Sequence, residues 1–264
     1  MKTLDWLANL RFRNPLLYQI GMIHFIMAVM LIIPWIFDSR EVLGTNTWIK
    51  PIKFCISIGI YAWTFGWILW DLHGKQRWIK GLSWVIAVTM VIEISIIIFQ
   101  ASRATRSHFN ESSALDGILF GTMGGMIAIN TIAIVISFGL FLFSKTKLDK
   151  AYLLALRLAF VVFLIGNWIG GVMIANGGHA IGAPEDSPGV FFFNWNTLGG
   201  DLRIGHFLGL HAIQVIPLIS HYVHKNTNLS QTPRYGVAVI SSLLYGGVIA
   251  WLYMRASNGI ALFS

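Results

Sequence analysis

Apolar runs long enough to cross a lipid bilayer recur along the whole chain. A membrane-spanning helix needs about 20 consecutive apolar residues, because the hydrocarbon core is about 30 Å thick. Such runs lie at residues 16–37, 51–70, 80–100, 116–143, 152–175, 203–223 and 235–255. Only 11% of the residues are charged, against about 25% in a soluble domain. The sequence therefore predicts an all-α integral membrane protein, with seven transmembrane helices in a single domain over residues 1–264.

Basic residues predict the orientation of these spans. Lys and Arg concentrate in the cytoplasmic loops of membrane proteins. Here they are frequent before the first span and in the segments 71–80, 144–150 and 224–234, which alternate with loops that are poorer in Lys and Arg. We therefore expect a cytoplasmic N-terminus and an extracytoplasmic C-terminus. The net charge of +8 follows from these loops, so the expected partner is the lipid bilayer and not nucleic acid.

Two segments outside the spans also allow structural predictions. Residues 1–14 place apolar side chains opposite basic ones, as in a short helix that lies on the cytoplasmic membrane surface. Residues 176–202 form a long extracytoplasmic loop with an apolar, aromatic centre. A loop of this length is usually functional or disordered. Its apolar centre favours packing over the mouth of the bundle as a lid.

Ionisable side chains collect in the extracytoplasmic half of the expected bundle. Each costs several kcal/mol in hydrocarbon unless it is paired or hydrated, so their concentration at one end predicts a polar cavity there. The candidate catalytic groups are the carboxylates of Asp116, Asp201 and the mid-membrane Glu93. The side chains that could hold a substrate are those of Lys50, Lys53, Arg103, Arg106, Arg203 and Gln214.

Histidines near the same end predict a metal site. His108, His206 and His211 would be the ligands, with His179 as an alternate. Three histidines, or histidines with a carboxylate and an open water position, are typical of catalytic zinc. The bound water would ionise near neutral pH and attack a carbonyl group. The first hypothesis is therefore a metal-dependent hydrolase that acts on a lipid-like or amphiphilic substrate.

Two other functions fit the same residues. The basic groups could bind a small anionic ligand in a receptor, sensor or carrier. Alternatively, His24 and His221 lie at similar expected depths, as a bis-His haem for electron transfer requires. There is no C-x-x-C-H motif for covalent haem attachment, and the single Cys55 excludes an intrachain disulfide. The sequence does not determine the oligomeric state.

Three segments resemble a group of bacterial seven-helix membrane proteins. They are KPIKF at Lys50–Phe54, SHFN at Ser107–Asn110, and the stretch from His179 to Gln214 that ends in GGDLRIGHFLGLHAIQ. The resemblance covers most of the chain. It implies a multi-pass protein of the bacterial inner (cytoplasmic) membrane and brings no activity with it.

The order of some polar residues is also similar in design to the alkaline ceramidases and adiponectin receptors. That family of seven-helix zinc hydrolases implies a Ser and a His on an early helix, a following Asp, and H-x-x-x-H on the last helix. Here Ser107, His108 and Asp116 occur in that order, followed by His206 and His211. The chain departs from the pattern because its Ser and His are adjacent, and because its late histidines are five residues apart on the sixth span.

Overall fold

The chain is almost entirely helical. The computed structural model describes residues 3–262, so Lys2 and its contribution to the expected orientation lie outside the described residues. The helices are α1 (Thr3–Arg13), α2 (Pro15–Met30), α3 (Ile32–Phe37), α4 (Ile49–Leu69), α5 (Gln76–Ser102), α6 (Ala114–Phe143), α7 (Lys150–Ala175), α8 (Leu202–Asn226) and α9 (Gln231–Ser257). Two short antiparallel pairs join β1 (Glu41–Val42) to β2 (Thr45–Asn46) and β3 (Ala180–Ile181) to β4 (Gly200–Asp201).

The seven predicted spans are confirmed as helices of membrane-crossing length and composition within residues 3–262. The first of them is α2 and α3 together, interrupted at Leu31. Pro34 lies in the first turn of α3, where its missing N–H does not remove an intrahelical bond. Several helices begin at a polar side chain that caps the first turn. For example, Asp149 accepts hydrogen bonds from the backbone N–H groups of Ala151 and Tyr152 at the start of α7.

The contacts between residues divide the chain into two compact units, Met1–Lys147 and Leu148–Ser264. The first unit holds α1 to α6 and the second holds α7 to α9. The organisation of all seven spans as one single-domain bundle stays a prediction.

In the first unit, α4 packs against both α2 and α5, and α6 packs against α5. The backbone of α2 is so close to α4 that a β-carbon at Gly21 would overlap the indole of Trp63. Helix α1 is present as expected, and its Trp6 stacks on Trp67 of α4. Its location on a membrane surface stays a prediction.

In the second unit, α7 and α8 make the closest helix contact. A β-carbon at Gly166 would lie 2.6 Å from the carbonyl carbon of Gly209, so both glycines are needed for this approach. The strand β4 lies against the end of α9 in the same way, because a β-carbon at Gly200 would overlap the carbonyl oxygen of Ala256. Gly182, which follows β3, lies near Gly259 beyond α9, since a β-carbon at Gly182 would be 3.1 Å from the Cα of Gly259.

Candidate functional site

Four polar side chains of the first unit form a connected group, which we call the His108 cluster: Lys50, Glu93, Ser107 and His108. Lys50 lies in the first turn of α4, Glu93 lies within α5, and the other two lie in the loop 103–113. The imidazole Nε2 of His108 is 3.5 Å from Oε1 of Glu93. Its Nδ1 is 3.2 Å from Nζ of Lys50 and 3.1 Å from Oγ of Ser107. A chain of titratable groups therefore connects α4 to α5 through one imidazole.

The cluster has a defined order of donors and acceptors. A lysine ammonium can only donate, so Nδ1 of His108 accepts from Lys50 and the ring proton is on Nε2, toward Glu93. Glu93 is only 2% exposed, and its Oε2 has no hydrogen-bond partner among residues 3–262. In this arrangement one imidazole lies between the buried Glu93 and the half-buried Lys50.

Aromatic rings form one wall of the cluster. The ring centroids of Phe54, Phe109 and Phe120 are 5.8, 6.1 and 6.5 Å from the centroid of His108. Nζ of Lys50 lies 5.8 Å from the centroid of Phe54, within cation–π range. An apolar wall lowers the local dielectric, so charges in the cluster interact more strongly than they would in water.

A second network holds the loop 103–113 in place around Asp116, which is 3% exposed at the start of α6. Its carboxylate accepts hydrogen bonds from Gln100 Nε2 at 2.8 Å, Arg103 Nη1 at 2.7 Å, Ser112 Oγ at 3.2 Å and Ser113 Oγ at 2.6 Å. The loop includes two non-glycine residues in the left-handed region, Ala104 and Phe109, and each such conformation costs about 1–3 kcal/mol. Asp116, which we expected to be catalytic, and Arg103, which we expected to hold a substrate, bind each other and support the loop that carries His108.

The other basic candidates of the first unit lie close to this cluster along the chain. Lys53 is half-buried on α4, three residues after Lys50, and Arg106 is exposed in the loop two residues before His108.

In the second unit, Asp201 and Arg203 form an ion pair at the start of α8. Oδ1 of Asp201 accepts hydrogen bonds from the backbone N–H and Nε of Arg203, both at 2.9 Å. Its Oδ2 accepts from Nη2 of Arg203 at 2.6 Å and from the backbone N–H of Asn196 at 2.8 Å. Arg203 also donates to the carbonyl of Asn194. The pair therefore caps α8 and fastens the end of the loop 176–202 to it.

The other end of that loop is held by an ion pair between His179 and Glu185. Oε1 of Glu185 also accepts hydrogen bonds from the backbone N–H of His179 and Ala180, at 2.6 and 2.8 Å. Burial alone would raise the pKa of Glu185, but the hydrogen bonds and the charge of His179 outweigh it and lower the pKa to about 2. The lid role of this loop stays a prediction.

The two remaining metal candidates lie on α8. Nδ1 of His206 donates to the carbonyl of Gly166 on α7 at 2.7 Å, which leaves the lone pair on Nε2. The ring of His211 lies 4.4 Å from that of Phe207, and its side chain hydrogen-bonds with Gln214. Gln214 is therefore a neighbour of a candidate ligand.

Within residues 3–262 there is no group of three or more His, Cys, Asp or Glu side chains placed to hold one metal ion. His108 belongs to the first unit, whereas His179, His206 and His211 belong to the second. The haem candidates are similarly divided: His24 is fully buried in the first unit, and His221 lies beside Tyr152 in the second. Zinc and haem binding both stay predictions.

The pairing of His108 with Glu93 was not evident from the sequence, since the two residues are fifteen positions apart. One signal was present, because Glu93 and Gln100 are seven residues apart and so share a face of α5 that leads toward the loop. Comparison of the chain with protein-family models, curated protein sequences and solved structures gives no match.

Proposed function

We propose that this multi-pass membrane protein binds a small carboxylate ligand at the His108 cluster, as a receptor or carrier. The observation that carries the proposal is the contact of one imidazole with both Lys50 and the buried Glu93. An ammonium group beside an imidazole can give a carboxylate two charge-assisted hydrogen bonds. The phenyl rings around His108 would accept the apolar part of such a ligand.

Lys50 is the main candidate for holding the ligand charge. Arg103 and Arg203, the other strong candidates, already bind Asp116 and Asp201. Lys50 contacts the imidazole of His108 at 3.2 Å, and the carboxylate of a ligand could replace that contact. Lys53 and Arg106 add positive charge nearby, which would attract an anion to the site.

The distribution of basic residues supports an extracytoplasmic location for this site. The segment 71–80 and the region before the first span are rich in Lys and Arg, which favours the cytoplasm for that end of the first unit. The loop 103–113 would then open to the extracytoplasmic side, and the ligand would enter from there.

Binding of benzoate to the purified protein in lipid nanodiscs tests the proposal. Its carboxylate and ring are matched to the ammonium and the phenyl wall. We expect isothermal titration calorimetry to detect one benzoate per chain, and Lys50→Gln to weaken its affinity about tenfold or more, because a hydrogen bond to a charged group contributes about 1.5–3 kcal/mol.

The matched control is Lys80→Gln, which removes an exposed lysine near the other end of α5. This variant should bind benzoate as the unmodified protein does. The absence of benzoate binding in the unmodified protein, or equal affinities of the two lysine variants, would contradict the proposal.

A further inference from the structure

The centre of the loop 176–202 exposes large apolar side chains although it lies outside the spans. Phe191 is 81% exposed and Leu198 is 67% exposed. The stretch from Ser187 to Gly200 holds no Asp, Glu, Lys, Arg or His. An uncharged segment that exposes apolar groups of this size marks a surface that contacts lipid or protein. We call residues 190–198 the aromatic tip.

The aromatic tip is a turn with a well-defined backbone. The backbone N–H of Asn194 donates to the carbonyl of Val190 at 2.6 Å, and the N–H of Val190 donates to the carbonyl of Trp195 at 2.9 Å. Phe192 and Asn194 have φ of 66° and 56°, in the left-handed region that residues other than glycine rarely adopt. The turn therefore presents Phe191 to the surroundings from a position that the backbone sets.

The inner side of the aromatic tip packs against α8. The ring of Phe193 stacks on that of Trp195 with centroids 4.5 Å apart, and both rings contact Phe207, at 5.8 and 5.9 Å. Phe207 lies five residues after Leu202, the first residue of α8, which places it about 7.5 Å along the helix. The aromatic tip therefore lies beside the first turns of α8 and does not project beyond the end of the helix.

Exposed aromatic residues on the neighbouring helices lie at a similar level. Trp168 is seven residues before the end of α7 and Trp251 is six residues before the end of α9, and these side chains are 56% and 48% exposed. The ring of Trp168 also contacts Tyr253 at 5.1 Å. Exposed Trp and Tyr near the ends of spans are typical of the boundary between membrane and water. The aromatic tip continues this belt, since α8 begins at the end of the second unit where α7 and α9 finish.

We propose that the aromatic tip is a membrane anchor, which inserts Phe191 and Leu198 into the interfacial region of the bilayer on the side where α8 begins. The bilayer fits this surface because the exposed groups are apolar and lie at the level of the aromatic belt. Since the tip has no charge, it needs no anionic headgroup and should bind a zwitterionic phospholipid surface. Anchoring of the tip does not require a ligand at the His108 cluster.

Spin labelling of the full chain in phosphatidylcholine nanodiscs tests the anchor. Phe191→Cys can be labelled selectively, because the single native Cys55 is fully buried; unmodified protein should take up no label. Collisions of the label with oxygen, which concentrates in lipid, are compared with collisions with Ni-EDDA, which stays in water. We expect the ratio of oxygen to Ni-EDDA collisions to be several times higher at position 191 than at a water-exposed position of the same loop.

The matched control is Asp186→Cys, which places the label at an exposed, charged position outside the aromatic tip. Equal collision ratios at positions 186 and 191 would place the tip in water and overturn the proposal. Low collision rates with both reagents at position 191 would show that the tip packs against protein, as a lid would, and would overturn it as well.

A second variant keeps the test decisive if the labelled Phe191→Cys protein is not monodisperse. Leu198→Cys carries the label at the other exposed apolar position, and we expect the same high ratio there. Adding phosphatidylglycerol to the nanodiscs should leave both ratios unchanged. High ratios that appear only with phosphatidylglycerol would contradict an uncharged anchor.

Discussion

The imidazole of His206 lies directly against Gly170, at which a β-carbon would come within 2.8 Å of the ring Cε1. The glycine thereby allows Nδ1 of His206 to reach the carbonyl of Gly166 at 2.7 Å. This contact joins α7 and α8 through a partly buried hydrogen bond within the second unit.

Gly170→Ala should therefore move the His206 ring and weaken that hydrogen bond. We expect a loss of stability of about 1–3 kcal/mol relative to a matched alanine substitution, as in other overpacked sites. The control is Gly171→Ala on the same helix, where a β-carbon meets nothing within 4 Å. Thermal unfolding in detergent measures both variants, which share the same gain in helix propensity. Equal melting temperatures would show that His206 is not held by this contact.

Arg103→Gln should destabilise the loop that carries His108. The substitution removes the positive charge 2.7 Å from Asp116, whose side chain is 4% exposed. Breaking a buried pair costs about 3–5 kcal/mol, and we expect about half of that because Arg103 itself is one-third exposed. Hydrogen exchange of the segment 103–113 should become faster. The exposed Arg106→Gln serves as the control, and equal exchange in the two variants would argue against this role of Asp116.

The loop 176–202 should loosen in acid. The pKa of Glu185 is lowered from 4.5 to about 2 in the folded protein. A carboxyl group with a depressed folded pKa contributes stability above its unfolded pKa and loses it as the pH falls toward the folded value. We expect hydrogen exchange in this loop, corrected for its intrinsic pH dependence, to rise between about pH 4.5 and 2.

Glu185→Gln should abolish this pH dependence and make the loop exchange faster already at pH 6. The control is Asp186→Asn, which removes the adjacent exposed carboxylate. A loop that responds to acid equally in both variants would show that the His179–Glu185 pair does not set its stability.

Metal analysis and absorption spectroscopy distinguish carboxylate binding from the two cofactor hypotheses. We expect purified protein to contain zinc well below one ion per chain and to show no Soret band. The reason is that, in the part of the chain that the structure describes, no three His, Cys, Asp or Glu side chains are placed to hold one metal ion. Stoichiometric zinc that is lost in His206→Gln would favour the hydrolase hypothesis instead.

The seven spans could be predicted from the sequence because the bilayer imposes a length and a polarity that composition alone reveals. The span predicted at residues 152–175 corresponds to α7 at Lys150–Ala175. The helix begins two residues earlier than predicted because Asp149 caps it. The break at Leu31 within the first span was not predicted, although Pro34 lies three residues later and lacks the N–H that would bond to the carbonyl of Met30.

The partners of the polar residues could not be predicted in the same way. A helical wheel gives the face of a residue on its own helix, but the contact of Glu93 with His108 depends on how an irregular loop folds back. The sequence suggested that Arg203 would hold a substrate charge. It did not show that Arg203 pairs with Asp201, because this pairing depends on the cap geometry at the start of α8. The sequence therefore identified polar residues such as Asp116 and Arg203 without showing which residues they bind.

The packing of β4 against the end of α9 has a practical consequence for work with this protein. Residues 256–259 support a segment that lies more than fifty positions earlier in the chain, with the backbones at Gly200 and Gly182 in close approach to them. A reporter or purification tag should therefore be placed after Ala261, whose carbonyl accepts a hydrogen bond from Arg255. A truncation inside α9 would disturb the 176–202 segment as well as the helix itself.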